Sequence, residues 1–181
     1  MIVSLILGMG LPTPVAYIIV ALALVPFMQQ IGIPPLQAHF FVFYFAVFST
    51  LTPPVAVSVL AAAKLGEATF LSTAKDAMKI ALTTFIIPFA FVFSPELMLF
   101  PNVTWGTMLA VIEVVFVQLA VSVASYGFLI RSLNGFERGV YAFVALSGFL
   151  GFTYDANFWY VAVALFMTIS GYVFVSNKTQ G

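Results

Sequence analysis

Residues 8–14 read GMGLPTP and residues 49–54 read STLTPP, and each interrupts a run that is otherwise apolar enough to lie within a membrane. Both breaks place glycine, proline and hydroxyl residues where an uninterrupted spanning helix carries Leu or Val. In hydrocarbon an unpaired backbone polar group costs several kcal/mol. A broken helix therefore persists only where protein or a water-filled site satisfies it again. Two such breaks on neighbouring segments point to a solute- or ion-binding site of the kind secondary transporters build from discontinuous helices.

Composition sets the solvent. The chain is 63% hydrophobic and 7% charged, with a net charge of zero and a mean hydropathy of +1.16. Soluble domains carry roughly 25% charged residues, so this is an integral membrane protein. Its apolar runs are long and continuous, unlike the alternating ten-residue segments of a membrane β-barrel. The expected fold is an all-α membrane protein with a re-entrant helical hairpin, a broken transmembrane helix and about four further transmembrane helices. The chain lacks cysteine and has one histidine, His39. Thiolate chemistry and clustered-histidine metal sites are excluded, and neutrality gives nucleic acid nothing to hold. No Ser/His, paired-Asp or metal cluster supports an enzyme, and no organic cofactor is expected.

From the first break the chain reads outward as follows. Residues 1–7 form an apolar half-helix, and 15–30 resume as a helix in which Pro26 marks a kink or an end. Gly10 and Pro12 forbid smooth continuation between them, so the two arms are expected to form a hairpin. One kinked helix over residues 1–28 is the alternative. The opening arm is shorter than the roughly 20 residues a crossing requires and reads as the end of a longer helix, so the chain is expected to be a fragment of a larger permease. After a turn at 32–35 (GIPP), residues 36–63 form about 42 Å of helix with a broken middle. Residues 64–79, the most polar window, read as a loop and an interfacial amphipathic helix. Residues 80–93 form a crossing with Pro88 inside it, followed by spans over 104–130, 139–154 and 157–175. The organisation expected is a transport-domain repeat at 1–63, an interfacial helix and a transmembrane helix at 64–100, and a C-terminal transmembrane extension at 101–181.

This arrangement puts all six cations on one side: Lys64, Lys75 and Lys79 in one loop, Arg131 and Arg138 in another, and Lys178 in the tail. The positive-inside rule makes residues 64–79, 131–138 and the C-terminus cytoplasmic, with the GIPP turn outside. Within the later spans, Trp105, Trp159 and Tyr160 read as interfacial anchors. Gly106, Gly127, Gly148, Gly151 and Gly171 read as points of close helix contact, and Glu113 as an intramembrane acid or a snorkelling one.

A broken helix exposes carbonyls at one end, which suit a cation, and amides at the other, which suit a carboxylate. Thr13, Ser49, Thr50 and Thr52 add uncharged hydroxyl oxygens, and the carbonyls of Gly8, Gly10 and Leu51 add more. Neutral oxygens without a carboxylate fit Na⁺. The competing reading is that these hydroxyls bond back to the preceding turn and serve packing. That reading is favoured for any single hydroxyl, and the site is favoured for the clustered set.

GMGLPTP, then Val25 and Pro26, then GIPP, an aromatic helix and LTPPVA at 51–56, in this order and spacing, resemble the large membrane subunit of tripartite ATP-independent periplasmic (TRAP) transporters. The closest likeness is to the branch that fuses both membrane subunits. The resemblance covers residues 5 to about 98; many members carry glycine where this chain has Ala56. It implies a Na⁺-coupled elevator-type permease that moves an organic acid or similar small solute across the bacterial inner membrane. Its coupling-ion site would use Gly8, Gly10, Thr13, Ser49, Thr50 and Thr52, with Pro12, Thr13, Thr52 and Pro53 beside the substrate. The implied partners are membrane lipid, the remainder of the permease (an N-terminal repeat and small-subunit helices) and a periplasmic substrate-binding protein. The rival is a non-transporting membrane scaffold whose breaks are packing kinks.

Overall fold

A computed structural model describes residues 1–98, 103–155 and 157–178, and the chain divides into two units, Met1–Phe100 and Pro101–Gly181. The regular secondary structure of the described residues is helical, apart from one isolated bridge between Phe128 and Ser132. The boundary expected at 100/101 falls among residues 99–102, outside the described residues.

In the first unit, proline and glycine set the helix ends. Helix α1 (Ile2–Gly8) stops before Gly10, whose φ of +75° is a left-handed value that glycine adopts without a Cβ penalty. Pro12 then caps α2 (Thr13–Gln30), and Pro14 starts it with a pre-set φ. Pro26 lies inside α2 and does not end it. The end comes at a Schellman motif: Ile33 N–H bonds the Met28 carbonyl at 3.0 Å and Gly32 N–H bonds Gln29 at 3.0 Å, with Gly32 at φ +92°. Pro34 and Pro35 of the GIPP turn open α3 (Pro35–Phe48).

A methyl placed on Gly8 would lie 3.5 Å from the Ala16 side chain. Residues eight apart in one continuous helix stand about 12 Å apart along its axis, so α1 and α2 lie against each other and the single kinked helix is excluded. Both helices also pack on α3. Because α2 and α3 are apolar on all sides, the core they share (Val20, Val25, Met28, Ala38, Phe41, Val42 and Phe45) is joined by few directional contacts. One of them is the 2.8 Å hydrogen bond between Tyr17 Oη and His39 Nδ1.

After the second break come α4 (Val57–Leu65) and α5 (Phe70–Thr84), the latter capped by the Thr69 hydroxyl, which accepts from Ser72 N–H. Expected to close near Lys79, α5 runs on to Thr84. There the hydroxyls of Thr83 and Thr84 donate to the carbonyls of Ile80 and Ala81. Helix α6 (Ile86–Phe93) resumes at once, so Phe70–Phe93 forms a 24-residue run long and apolar enough to cross a membrane. Phe85, at the joint, meets Phe45 and Phe48 of α3 edge-on at 5.7 and 5.2 Å. A 3-10 turn follows at Pro95–Met98.

The second unit holds α7 (Trp105–Tyr126), α8 (Gly135–Thr153) and α9 (Asn157–Lys178). Capping boxes start the first two, Thr104 with Thr107 and Asn134 with Glu137. The second box corrects the expected 131–138 turn: α8 begins at Gly135, so Arg138 is helical. Gly127 closes α7 at φ +67°, and Arg138 donates to the Ala124 and Ser125 carbonyls at 3.0 and 3.1 Å, covering the helix end with positive charge. A methyl on Gly148 would meet Val117 at 2.6 Å and one on Gly151 would meet the Trp159 backbone at 3.2 Å, so both permit close approach. Gly171 has nothing within 4 Å. Trp159 is only partly exposed and packs on Phe116 at 4.9 Å, whereas Trp105 and Tyr160 are largely exposed. Glu113 lies half-buried on α7.

The ion pair of this unit lies at the entry to α8. Arg131 grips Glu137 with two hydrogen bonds of 2.6 and 3.1 Å and also donates to Ser176 Oγ at 3.2 Å. Glu137 is almost fully buried, and the guanidinium holds its carboxyl below the usual carboxylate range.

Candidate cation and solute site at the paired helix breaks

The fold brings the two breaks together. A methyl on Gly8 would lie 2.5 Å from Ser49 Oγ and 2.9 Å from its Cβ, so only a glycine lets α1 approach the end of α3 this closely. Two residues on, a methyl at Gly10 would meet Val55 at 3.3 Å. The first break therefore lies along the second over residues 49–55.

The second break is organised by its own hydroxyls. The end of α3 leaves carbonyls without helical partners. Ser49 Oγ donates to Ala46 at 2.6 Å, Thr50 Oγ1 to Val47 at 2.9 Å, and Thr52 Oγ1 to Phe48 and Ser49 at 3.3 and 3.2 Å. Ser58 N–H closes the loop on the Thr50 carbonyl at 3.1 Å. The Pro53–Pro54 peptide is cis. Ala56, which caps α4, has φ +41° and ψ +56°, a left-handed conformation that strains any residue with a Cβ.

Ser49 and Thr52 are buried, Thr13 and Thr50 half-buried, and Gly10, Pro12 and Pro53 exposed. Gly8 is buried in the seam. The hydroxyls of Thr13 and Thr52 do not bond each other; Thr52 is committed to its own helix end. The back-bonding expected of single hydroxyls thus holds for all three in the second break. It does not remove their capacity as ligands: a hydroxyl that donates its proton keeps lone pairs, and the donation orients them away from the helix.

The oxygen inventory suits a hard monovalent cation. The Gly8 carbonyl accepts from Leu11 N–H at 3.3 Å, whereas no hydrogen bond among the described residues ends on the Gly10 or Leu51 carbonyls. Residues 1–63 contain no Asp, Glu, Lys or Arg, so every side-chain oxygen here is neutral. Ser4, four residues before Gly8 and so on the same face of α1, is fully buried, and its hydroxyl has no partner. The spacing of four from Gly8 was its only mark in the sequence.

Residues 1–106 match the family model DctM, described as the tripartite ATP-independent periplasmic transporter, DctM component. No curated protein and no solved structure matches the chain.

Proposed function

The chain belongs to the DctM-component family of TRAP transporters, and we propose from that premise that it forms part of a Na⁺-coupled permease moving an organic acid or similar small solute. Membership makes it a multi-pass membrane transporter component. The coupling ion, the solute and the partners are our reading.

The observation that carries the reading is the seating of Gly8 against Ser49, which joins two interrupted helices into one oxygen-lined seam. Gly8, Gly10, Thr13, Ser49, Thr50 and Thr52 would hold Na⁺ there, with Pro12, Thr13, Thr52 and Pro53 beside the solute. Na⁺ neutralises the carbonyl ends of the broken helix and so favours an anionic solute next to it. We read α1 and α2 as a re-entrant hairpin and α3 with α4 as the unwound helix of an elevator-type carrier. The working carrier includes the remainder of the permease, both its N-terminal repeat and its small-subunit helices, and takes solute from a periplasmic binding protein. The side bearing the six cations is cytoplasmic in the bacterial inner membrane.

A second reading has its own support: the hydroxyls of Ser49, Thr50 and Thr52 all cap carbonyls, as packing kinks in a non-transporting scaffold would. Na⁺-driven uptake by the full-length permease separates the two. Thr13→Val and Thr52→Val are expected to raise the Na⁺ concentration for half-maximal uptake. Unchanged Na⁺ dependence in both variants favours the scaffold role for these breaks.

A further inference from the structure

We propose that the exposed face of α5 is a docking site for an anionic phospholipid, whose phosphate is held between Lys75 and Lys79. Helix α5 has two unlike sides. Ala74 and Ala77 pack with Ala56 and Val59 at the start of α4. Ser72, Lys75, Asp76, Lys79 and Leu82, spaced by three and four residues along the helix, are exposed and share another face. With Met78 they line a groove of about 450 Å³, a size that small ligands occupy.

Charge selects the ligand. Lys75 and Lys79 stand one turn apart, and neither forms an ion pair or hydrogen bond with Asp76 or with another described residue. Two lysines against one aspartate leave the groove a net charge of +1, which a phosphodiester carrying one negative charge complements. Position makes that phosphate a lipid's. Lys79 is the last charged residue before Glu96, and Phe70–Phe93 is long and apolar enough to cross a membrane. The two lysines therefore lie where the apolar run meets water, at the level of the headgroups. Their methylene stems, with Met78 and Leu82, offer acyl chains an apolar surface while the ammonium groups reach the phosphate. A lipid with no net charge leaves the positive charge of the groove unmatched.

The test uses the purified full-length permease in a neutral detergent and follows its thermal unfolding against added phosphatidylglycerol, phosphatidylcholine or inorganic phosphate. Phosphatidylglycerol alone is expected to raise the unfolding temperature of the wild type. Its half-saturating concentration should rise roughly 5-fold in Lys75→Gln or Lys79→Gln and roughly 30-fold in the double variant. Asp76→Asn, which removes the opposing charge, should lower it, and arginine at both lysine positions should keep it near wild type. Lys64→Gln removes the same charge outside the groove, at the end of α4, and should also stay near wild type. If the glutamine variants fail to fold, Asp76→Asn decides by its opposite sign. An equal response to phosphatidylcholine or to inorganic phosphate would overturn the lipid as occupant. Equal weakening by Lys64→Gln and by the groove variants, or no change in Asp76→Asn, would overturn the groove as the site.

Discussion

Single atoms set the geometry at two positions. With a methyl on Gly8 only 2.5 Å from Ser49 Oγ, Gly8→Ala must push α1 off α3. A cost of about 1–3 kcal/mol is expected from such overpacking. Ser49→Gly removes both opposing atoms, so the double variant should recover part of that loss, and a double-mutant cycle by thermal unfolding in detergent measures the coupling. Ala56 predicts the opposite sign. Its φ of +41° is strained for alanine, so Ala56→Gly should stabilise by about 0.5–1 kcal/mol after glycine's entropy cost is set against the relief. The same φ gives a physical reason for glycine at this position in many members of the family. The proline and glycine positions were readable in the sequence because each has a fixed conformational consequence. Ser4, Tyr17 and His39 were not, since what singles them out is burial or a partner supplied by another helix.

At the scale of elements, stability is distributed differently in the two units. The first leans on edge-to-face aromatics: Phe41 meets Phe45 at 4.9 Å and Phe89 at 5.3 Å, and Phe45 meets Phe85 at 5.7 Å and Phe89 at 5.9 Å. The second adds a buried ion pair at the entry to α8. Arg131 keeps the Glu137 carboxyl below its ordinary range, so the pair's contribution is complete above the unfolded carboxylate value of about 4.3. It is lost as pH falls through the lower folded value. The thermal stability of the second unit should therefore hold from neutral pH down to about 5 and then decline, and Glu137→Gln should flatten that profile. Asn134→Ala, which removes only the cap, should cost about 1 kcal/mol and leave the acid-dependent decline in place. The Asn134–Glu137 box was readable as an N-x-x-E signature, yet the charges around it argued for a turn, and the cap won. Similarly, Lys75 and Lys79 suggested an end for α5 near 79, but nothing in 80–84 breaks a helix, and the run continues to Thr84.

For the chain as a whole, residues 1–181 contain no cysteine, so a single cysteine introduced among them adds a label site that the unsubstituted residues do not have. Ile33→Cys, in the GIPP turn, should react with an impermeant maleimide in intact cells, and Glu67→Cys, between α4 and α5, only after permeabilisation. The reverse labelling would invert the proposed orientation. One property of the first unit reaches further. The side-chain and backbone oxygens where its two breaks meet do not change charge with pH, and no carboxylate or basic side chain occurs before Lys64. The one histidine of the chain, His39, shares its Nδ1 hydrogen bond with Tyr17 between α2 and α3. A proton arriving at this seam finds no carboxylate to neutralise, and the oxygens there are neutral, the kind the proposed Na⁺ site requires. On the proposed reading, uptake should follow the alkali-ion concentration and not the acidity on either side of the membrane.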